Sequence, residues 1–327
     1  MPKVSIIVPN YNYARYLPQR LMSIFGQTFT DYEVILLDDC STDNSPSYLR
    51  EQSVLHPQVT HCILGDTNTG NPFVQWEKGI SVAQGEYIWI AESDDYCDPS
   101  FLSKMVVLLD EQPHAAYAMC GSHLVNEHDE PLDDDYDKWE KGENDLHAYQ
   151  YTSQQYLKHF LLWYNAAYNA SMILFRKQMF LQIHMDFTAM RYCGDWMFWI
   201  KMAERGNVIV LHERLNYFRR HSKSVTFNSD GMEKQLGEKL LIYTYLWDKH
   251  QFGFYRNFLS RGYLYKEIKR IDMDRDKKQA VIDHLANYGV NKQAFFFERF
   301  IKTLHQLLGF IPAPKYDFIL GDKINIQ

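Results

Sequence analysis

The first hundred residues alternate short β-branched runs with segments of helical periodicity. Val4–Val8 and Val34–Leu37 are continuous apolar runs of the kind found in strands that are buried on both faces. Between these runs, Leu17, Leu21 and Ile24 recur at helical spacing. This alternation predicts a mainly parallel sheet flanked by helices, an α/β fold of the Rossmann-like type.

The same unit repeats over the next fifty residues. Ser, Thr, Asp, Asn and Pro at 41–46 are typical of a helix start, and Val59–Leu64 reads as a third strand. A further helix is expected to end near Ala83, and Gly85 then precedes a fourth strand, Tyr87–Ala91. Two such repeats predict a doubly wound sheet.

Polar or acidic residues follow three of the predicted strands. They are Pro9-Asn10-Tyr11-Asn12 after the first strand, Asp38-Asp39 after the second and Glu92-Ser93-Asp94-Asp95 after the fourth. Because open parallel sheets bind ligands at the carboxyl ends of their strands, we expect these residues to lie at one ligand-binding edge.

Glu92 and Asp94 are two residues apart, so in extended chain both carboxylates point the same way. Mg²⁺ or Mn²⁺ is held by one or two carboxylates, with water and substrate phosphates in its other positions. The pair therefore predicts a cation site that serves a nucleotide diphosphate. The alternative is an acidic turn that caps a helix beginning near Pro99.

The other two strand ends offer groups to a nucleoside. Asp39 can accept hydrogen bonds from a base or a ribose, and residues 9–12 provide backbone groups and an aromatic ring. A plain turn is the alternative for residues 9–12. A helix cap is the alternative for Asp39, although Ser41 or Thr42 fits that role better.

The later part of the chain is less regular. Residues 126–151 are polar and acidic and are expected to form a surface loop, with a flap over an acceptor as the functional alternative. After about Thr226 the sequence becomes helical, aromatic and basic, which predicts domains at 1–225 and 226–327. The remaining predicted elements are a strand at Ala170–Phe175 and helices at Trp196–Arg205, Glu233–Trp247 and Phe254–Ile271.

Composition excludes several classes of protein. The formal charge is −7 and no Lys/Arg-dense block is present, which argues against a nucleic-acid partner. The five cysteines form no CxxC pair, so they indicate a reducing compartment and no patterned zinc site. The start MPKVSIIVPN is not typical of a signal peptide, and no apolar run approaches the roughly 20 residues of a membrane span. We therefore expect a cytoplasmic protein.

Several ordered motifs resemble one known family. They are VSIIVPNYNYARYLPQRLMSIFGQ, VILLDDCSTDNS and GEYIWIAESDD in the first 110 residues, then YNASMILFRK and GDWMFWIKMAERGNVIVLHERLNYFRRHSKSVT. Together they resemble the family 2 glycosyltransferases, which have the GT-A fold and usually invert the anomeric centre. The resemblance implies that fold here, followed by a C-terminal helical extension.

Carried over residue by residue, the resemblance assigns roles to the strand ends and to two later segments. Asp39 becomes the uracil- or ribose-binding acid, Asp94 the metal ligand with Glu92 beside it, and Asp195 the catalytic base. Arg219 and His221 would close over the donor phosphates. The other candidate donor contacts are Pro9, Asn10, Tyr11, Asn12 and Ser93 at the strand ends, and Lys78 as a substitute for a contact that many family members make through Arg-Asn at positions 76 and 77. The candidate acceptor contacts are Asn169 and Trp196. A helix cap is the alternative for Asp195, simple packing for Asn169, and ordinary surface charge for Arg219 and His221.

The implied reaction transfers a sugar from a nucleotide-diphosphate sugar, with UDP favoured over GDP and dTDP, to a hydroxyl acceptor. A polysaccharide, a lipid-linked oligosaccharide or another glycan fits as acceptor, with Mn²⁺ or Mg²⁺ as cofactor. The C-terminal part contains six basic residues that would suit peripheral contact with an anionic membrane: Lys266, Lys269, Arg270, Arg275, Lys277 and Lys278. A helical bundle that completes the fold is the alternative for this region.

Three positions depart from the family pattern. Glu92 replaces the more usual Asp, Gly194 stands where an acid often precedes the catalytic Asp, and Trp76-Glu77 replaces Arg-Asn. A non-catalytic relative that binds nucleotide or glycan is the main alternative, although the presence of Asp39, Asp94 and Asp195 argues against it. A dinucleotide oxidoreductase would need GxGxxG after the first strand, a sugar-1-phosphate nucleotidyltransferase would need a Gly-rich loop there, and a receiver-like module would not explain the chain length.

Overall fold

The computed structural model describes residues 1–133, 136–137, 147–221, 231–271, 273–315 and 319–324. The chain divides into two compact units. The first comprises residues 1–156, 167–224 and 320–327, and the second comprises 157–166 and 225–319. The predicted boundary at Thr226 lies outside the described residues.

The first unit is built on one sheet. Its strands are β1 (Val4–Asn10), β2 (Tyr32–Asp38), β3 (Val59–Leu64), β4 (Tyr87–Ile90), β5 (Tyr96–Cys97), β6 (Ala115–Val125), β7 (Ala148–Tyr151), β8 (Ile173–Arg176), β9 (Asn207–Arg219) and β10 (Asp322–Ile324). Their order across the sheet is β10-β7-β9-β6-β8-β4-β1-β2-β3, with β5 paired to β9.

Helices flank this sheet and make up most of the second unit. Those of the first unit are α1 (Leu17–Phe25), α2 (Ser45–Leu55), α3 (Pro72–Val82), α4 (Phe101–Glu111), α5 (Ser153–Tyr156), α6 (Lys177–Phe180) and α7 (Gly194–Ala203), with short 3₁₀ turns at Ala170–Met172 and Met185–Ala189. Those of the second unit are α8 (Gly231–Lys249), α9 (Phe254–Arg270), α10 (Arg275–Ala286) and α11 (Lys292–Leu308), with a π-helical turn at Leu157–Leu161. Among the described residues, no helix is both long and apolar enough to cross a bilayer.

The N-terminal half of the sheet is parallel, as predicted. β1 pairs in parallel with β2 and β4, and β2 pairs in parallel with β3. Asn10 lies opposite Asp38, and Ile7 lies opposite Ile90, so these strands end at the same edge. The other half is mixed, because β8, β7, β10 and β5 each pair antiparallel to their neighbours. The predicted α/β architecture with a helical C-terminal extension is confirmed.

β1 continues through Pro9 to Asn10, two residues beyond the predicted end at Val8. Proline removes a backbone donor, so the sequence favoured a stop there. The Ile7 carbonyl accepts from Ala91 N and the Asn10 carbonyl from Asp39 N, so Pro9, like Ile7, faces the β4 side. Because β4 pairing ends at Ile90, the missing N–H of Pro9 breaks no ladder bond.

Three other predicted boundaries were wrong. The predicted strand at 170–175 begins as a 3₁₀ turn, because the Asn169 side chain accepts a hydrogen bond from Ser171 N and turns the chain. The predicted loop at 126–151 ends in β7, which pairs with β9, and residues 134–135 and 138–146 of that loop lie outside the described part. The cap position of α2 is Asn44, rather than Ser41 or Thr42.

α3 packs closely on the strands that lead to the polar edge. Gly79 of α3 lies against the side chains of Ile7 and Leu37, where a Cβ would overlap Ile7. This close approach holds Gln75 and Trp76, one turn earlier, over the ends of β2 and β4.

Candidate active site

Asp39 follows β2 and is 5% exposed. Its carboxylate accepts hydrogen bonds from Thr69 N at 3.0 Å, from Thr69 Oγ1 at 2.8 Å and from Gln75 Nε2 at 2.7 Å. Gly70 N is a fourth donor, at 3.3 Å. The turn before α3 and α3 itself are thereby fastened to the end of β2 through this one acid.

The end of β1 is tied to the loop after β2 by two asparagines. Asn10 Nδ2 donates to Asp38 Oδ2 at 2.7 Å, and Asn12 Oδ1 accepts from Thr42 N at 2.8 Å. Asn12 adopts a positive φ of 58°, which Asn tolerates better than most residues. Tyr11 between them is 43% exposed, so its ring is available to a planar ligand.

The Glu92–Asp95 segment leaves the end of β4 and is held from several sides. Ser93 Oγ donates to the Pro9 carbonyl at 2.7 Å, which joins the segment to β1. Glu92 Oε1 accepts from Trp76 Nε1 of α3 at 2.9 Å. The family-implied donor residue Ser93 is 1% exposed, so its side chain holds the backbone of this edge.

Two carboxyl groups of this segment are hard to ionise. Burial and the nearby Asp94 charge raise the pKa of Glu92 to about 8, against the lowering effect of the Trp76 hydrogen bond and of Arg20. Burial and Asp94 also raise the pKa of Asp95 to about 6. Negative charge is therefore crowded here, and a bound cation would relieve it.

Asp94 keeps 18% of its side chain exposed, whereas Asp95 is 2% exposed. His221 Nε2 lies 3.0 Å from Asp94 Oδ2. The His221 ring stacks on Tyr16, with centroids 5.5 Å apart, and meets Tyr13 edge-on at 5.4 Å. The structure thus brings together Asp94 and His221, which are far apart in sequence.

Arg219 is buried beneath this segment rather than exposed above it. Its Nε donates to the Asp94 carbonyl at 2.8 Å, one Nη donates to Gln19 Oε1 at 2.7 Å, and the other pairs with Asp129 at 2.7 Å. The side chain is 1% exposed. In this arrangement the guanidinium supports the acidic segment, and its predicted contact with phosphate stays a prediction.

Asp95 joins three elements at the base of the site. Its carboxylate accepts from Asn169 Nδ2 at 2.9 Å, from Ser171 Oγ at 2.7 Å and from Arg219 N at 3.0 Å. Asn169, an implied acceptor contact, is 8% exposed and also accepts from Ser171 N. Its amide is therefore engaged in holding Asp95.

Asp195 lies in the first turn of α7, because that helix begins at Gly194. The predicted start at Trp196 was wrong, and the cap position belongs to Cys193. A Cβ at Gly194 would overlap the Phe73 ring of α3, which explains why no acid can precede Asp195 here.

α3 connects the Asp195 turn to the two acidic sites. Asn71 Nδ2 donates to the Thr188 carbonyl at 2.6 Å, just before α7, while Gln75 and Trp76 reach Asp39 and Glu92. Trp196 is 5% exposed, which leaves little of its ring for an acceptor. Lys78 lies on α3 near Gln75 and Trp76 and is partly exposed.

Five residues of this edge were not among the predicted contacts: Arg20, Thr69, Gln75, Trp76 and Asp95. For Arg20 the signal was present, since a charged residue interrupts the buried stripe Leu17, Leu21, Ile24. No such signal marks Gln75 or Trp76, because their contacts depend on how closely α3 approaches the sheet.

The carboxylate ligands present suit a hard cation that takes its remaining ligands from water and substrate. No group of three or more His, Cys, Asp or Glu side chains in the described ranges is arranged to enclose an ion. Mg²⁺ and Mn²⁺ do not require such a cage, since they keep water and take substrate phosphates. Asp94 would hold the cation, and Glu92 is the second carboxylate of the motif.

Comparison with known families decides the class of this chain. The model described as "Glycosyl transferase family 2" matches residues 5–181, more than half of the sequence. The chain belongs to glycosyltransferase family 2. An uncharacterized glycosyltransferase of Haemophilus influenzae is 27% identical over 244 residues, covering 73% of this chain and 72% of the relative. The putative teichuronic acid biosynthesis glycosyltransferase TuaG of Bacillus subtilis is 30% identical over 132 residues, covering 40% and 51%.

For two other relatives, this chain matches only part of their length. An uncharacterized protein of Mycobacterium bovis is 27% identical over 226 residues, 68% of this chain but only 60% of the relative. The poly(ribitol-phosphate) β-N-acetylglucosaminyltransferase TarS of Staphylococcus aureus is 33% identical over 114 residues, 34% of this chain and 19% of TarS.

Solved structures of two glycosyltransferases share the fold. TarS 1–349 in complex with UDP-GlcNAc superposes with a TM-score of 0.55 at 18% identity, covering 95% of this chain and 82% of that one. The mannosyltransferase PcManGT of Pyrobaculum calidifontis, in complex with GDP-Man and Mn²⁺, gives 0.53 at 14% identity, covering 94% and 88%. The GT-A fold implied by the sequence motifs is thus confirmed.

Proposed function

We propose that this chain is an inverting glycosyltransferase that moves a sugar from a nucleotide-diphosphate sugar, with UDP as the favoured carrier, to a hydroxyl of a glycan acceptor. The observation that carries the proposal is the crowding of Glu92, Asp94 and Asp95 at the same edge of the sheet as Asp39, in a chain of this family. The UDP-GlcNAc complex of TarS, on the same fold, supports the choice of UDP.

The donor would lie along the edge formed by β1, β2 and β4. Tyr11, with its exposed ring, would stack on the base, and the Asp39 turn would meet the nucleoside. Asp94 would hold Mn²⁺ or Mg²⁺ with Glu92 at its side. When bound, the cation supplies positive charge to the diphosphate as it leaves.

Asp195 would act as the general base of a single displacement. Its carboxylate takes the proton of the acceptor hydroxyl as that oxygen attacks C1 of the sugar, and the nucleoside diphosphate departs from the opposite face. Inversion at C1 follows from that geometry. The position of Asp195 in the first turn of α7 suits a carboxylate that must stay ionised before it accepts the proton.

Calorimetric titration of UDP, GDP and dTDP into the full chain, with and without Mn²⁺, tests the donor half of the proposal. We expect one nucleotide to bind only with Mn²⁺, and Asp94→Ala to abolish that binding. Release of UDP from UDP-GlcNAc over a panel of glycan acceptors tests turnover. We expect Asp195→Asn to retain nucleotide binding but to lower turnover by about 10²- to 10⁴-fold, the usual contribution of a general base.

Two results would contradict the proposal. No binding of any nucleotide, with or without cation, would rule out the donor site. Metal-dependent binding without turnover on any acceptor, in wild type as in Asp195→Asn, would favour a non-catalytic relative that retains only the nucleotide site.

We also propose peripheral contact of the second unit with an anionic membrane, on the inner face of the cytoplasmic membrane. The support is the outer face of α11, where Phe296, Phe300 and Leu307 are 65%, 58% and 75% exposed, followed by Phe310 at 75%. The only acid of α11, Glu298, is 3% exposed, whereas its exposed charges are basic. An apolar stripe with basic neighbours is typical of helices that lie in a membrane interface.

Co-sedimentation with phosphatidylcholine vesicles, with and without phosphatidylglycerol, tests this contact. We expect wild type to sediment with the anionic vesicles and the double variant Phe300→Ser/Phe310→Ser to stay in solution. Leu241→Ser is the control, because Leu241 is 57% exposed on α8. Equal sedimentation of all three proteins would contradict the proposal.

A further inference from the structure

Arg20 is a fully buried cation at the centre of the α1 face that packs on the sheet. It is 0% exposed and shares that face with Leu17, Leu21 and Ile24. Its guanidinium carbon lies 5.0 Å from the centroid of the Trp89 ring, on β4. Arg20 therefore occupies a position where the helical periodicity calls for an apolar side chain.

Only part of this guanidinium is hydrogen-bonded. Nε donates to the Glu92 carbonyl at 2.9 Å, whereas neither Nη reaches an oxygen or nitrogen acceptor among the described residues, and the Cys97 thiol, a weak acceptor, lies beside the side chain. A buried arginine is normally held by a carboxylate fork or by several carbonyls, because unpaired buried donors are destabilising. Stability of the fold alone therefore does not account for an arginine at this position.

The surroundings of Arg20 supply a reason for its charge. Its Nε reaches the backbone of the acidic segment at Glu92, so a positive charge lies against a stretch of four residues that carries three carboxylates. Arg20 thus lies behind the acidic segment as a fixed counter-charge, while the Asp94 side chain remains partly exposed in front.

A second arginine acts on the same segment from another element. Arg219 Nε donates to the Asp94 carbonyl at 2.8 Å, as Arg20 Nε does to the Glu92 carbonyl. Carbonyls two residues apart are thereby fixed by α1 and by the end of β9. Since the backbone directs the side chains, this pair of bonds sets where the Glu92 and Asp94 carboxylates point.

We propose that Arg20 is a positioning residue of the donor site, which fixes the Glu92–Asp95 segment and offsets its negative charge before the nucleotide diphosphate and its cation bind. This inference deepens the proposed function and rests on it. Arg20 touches neither the donor nor the cation, and acts only through the segment that does.

Arg176 offers a matched control at the other end of β4. Its guanidinium lies 5.1 Å from the Tyr87 ring, its Nε donates to the Ala115 carbonyl at 2.9 Å, and its side chain is 11% exposed. Arg176 thus resembles Arg20 in burial, in ring contact and in its backbone bond. Arg176 differs from Arg20 in pairing with Glu86, at 3.0 Å. It is the last residue of β8 and lies opposite Tyr87, at the amino end of β4 and away from the acidic segment.

The test compares Arg20→Met and Arg176→Met by thermal unfolding and by calorimetric titration of UDP with Mn²⁺. We expect both substitutions to lower the unfolding temperature, but only Arg20→Met to weaken UDP binding, by about 10- to 100-fold, as is usual for residues that support a metal ligand. Arg20→Lys should recover part of the affinity, because it keeps the charge without the planar fork. The lysine variant also serves if Arg20→Met does not fold.

Unchanged UDP affinity in Arg20→Met or in Arg20→Lys, beside a wild type that binds, would overturn the inference and leave the proposed function intact. Equal losses of affinity in the Arg20 and Arg176 variants would also overturn it, since they would indicate a general effect of destabilisation. Absence of binding in wild type would instead refute the proposed function.

Discussion

The acids that follow β2 and the acids that follow β4 lie at the same edge of the sheet but in opposite electrostatic situations. Asp38 accepts from Asn10 Nδ2 and from both the amide and the hydroxyl of Ser41, and Asp39 accepts from Thr69 and Gln75. Both carboxylates are stabilised by uncharged hydrogen-bond donors of the protein itself.

The acids after β4 lack such compensation. Glu92 accepts one side-chain hydrogen bond, from Trp76, and burial beside Asp94 raises its pKa to about 8. Asp95 accepts three hydrogen bonds, yet its pKa is still raised to about 6. The first pair of acids builds the loops of the site, whereas the second group holds negative charge that a ligand can relieve.

Replacing an acid after β4 should therefore impair function and not folding. We expect Asp94→Asn to lower turnover of a UDP-sugar by about 10³-fold, because a catalytic cation contributes several kcal/mol at the leaving group. Without cation, the same variant should unfold at a higher temperature than wild type, since Asp94 raises the pKa of both neighbours. Turnover assays and thermal unfolding measure the two effects.

Glu77→Gln is the control for this prediction, because Glu77 is an exposed acid on α3. It should change neither quantity. If Asp94→Asn is less stable than wild type without cation, the prediction is wrong. Asp94 would then have a structural role like that of the acids after β2.

The second prediction concerns pH. The ordinary pKa of 4.5 for Glu92 rises to about 8 on folding, and the 3.8 of Asp95 to about 6, so the cation-free folded protein keeps protons that the unfolded chain has lost. The free energy of unfolding of the cation-free protein should therefore fall as the pH rises from the ordinary pKa values of the two acids to their folded-state values. It should stay low above pH 8. Cation affinity should instead rise with pH, by about tenfold per pH unit for each proton that cation binding releases.

Thermal unfolding from pH 5.5 to 8.5, with and without Mg²⁺, measures both trends. We expect the stabilisation by Mg²⁺ to increase with pH through this window. In Glu92→Gln the increase should be smaller and should end near pH 6, where only Asp95 titrates. A stabilisation that does not depend on pH would mean that neither acid loses a proton to the cation.

Sequence reasoning found the strand-end residues but not what holds them. The four parallel strands and their polar ends follow from local periodicity, and Asp39, Asp94 and His221 were all placed at or near one edge. Periodicity carries no information about approach distances, however. Gln75 and Trp76 reach the two acids only because Gly79 lets α3 pack directly on Ile7 and Leu37.

The misplaced boundaries have a similar origin. β1 continues through Pro9 because β4 has already ended, which depends on the relative lengths of two strands. α7 begins early because a glycine at 194 fits against Phe73 of α3. Both facts concern neighbours that are distant in sequence, so no local pattern could contain them.

The third prediction tests the acids after β2. Asp39→Asn should lower the free energy of unfolding by about 2 kcal/mol, because an amide group would face donors that now bond to a carboxylate. Chemical denaturation without cation measures this change. Asp66→Asn is the control, because Asp66 is an exposed acid between β3 and α3, in the same connection as Thr69. It should leave the free energy of unfolding unchanged. If Asp39→Asn is more stable than wild type, the protein compensates the acids after β2 no better than the acids after β4, and the comparison between them is wrong.

The smallest expected effect concerns the single hydrogen bond that does reach Glu92. A double-mutant cycle of Trp76→Phe and Glu92→Met, followed by chemical denaturation without cation, isolates the bond from Trp76 Nε1 to Glu92 Oε1. We expect a coupling of about 1 kcal/mol at pH 8.5, where Glu92 is ionised, and a smaller one at pH 6, where it is protonated. Phe at 76 retains an aromatic ring against Phe73 and Phe198, so loss of packing should cancel within the cycle. A coupling near zero at both pH values would mean that Trp76 contributes by packing alone, and that no protein group after β4 compensates the charge of Glu92 as Thr69 and Gln75 compensate that of Asp39.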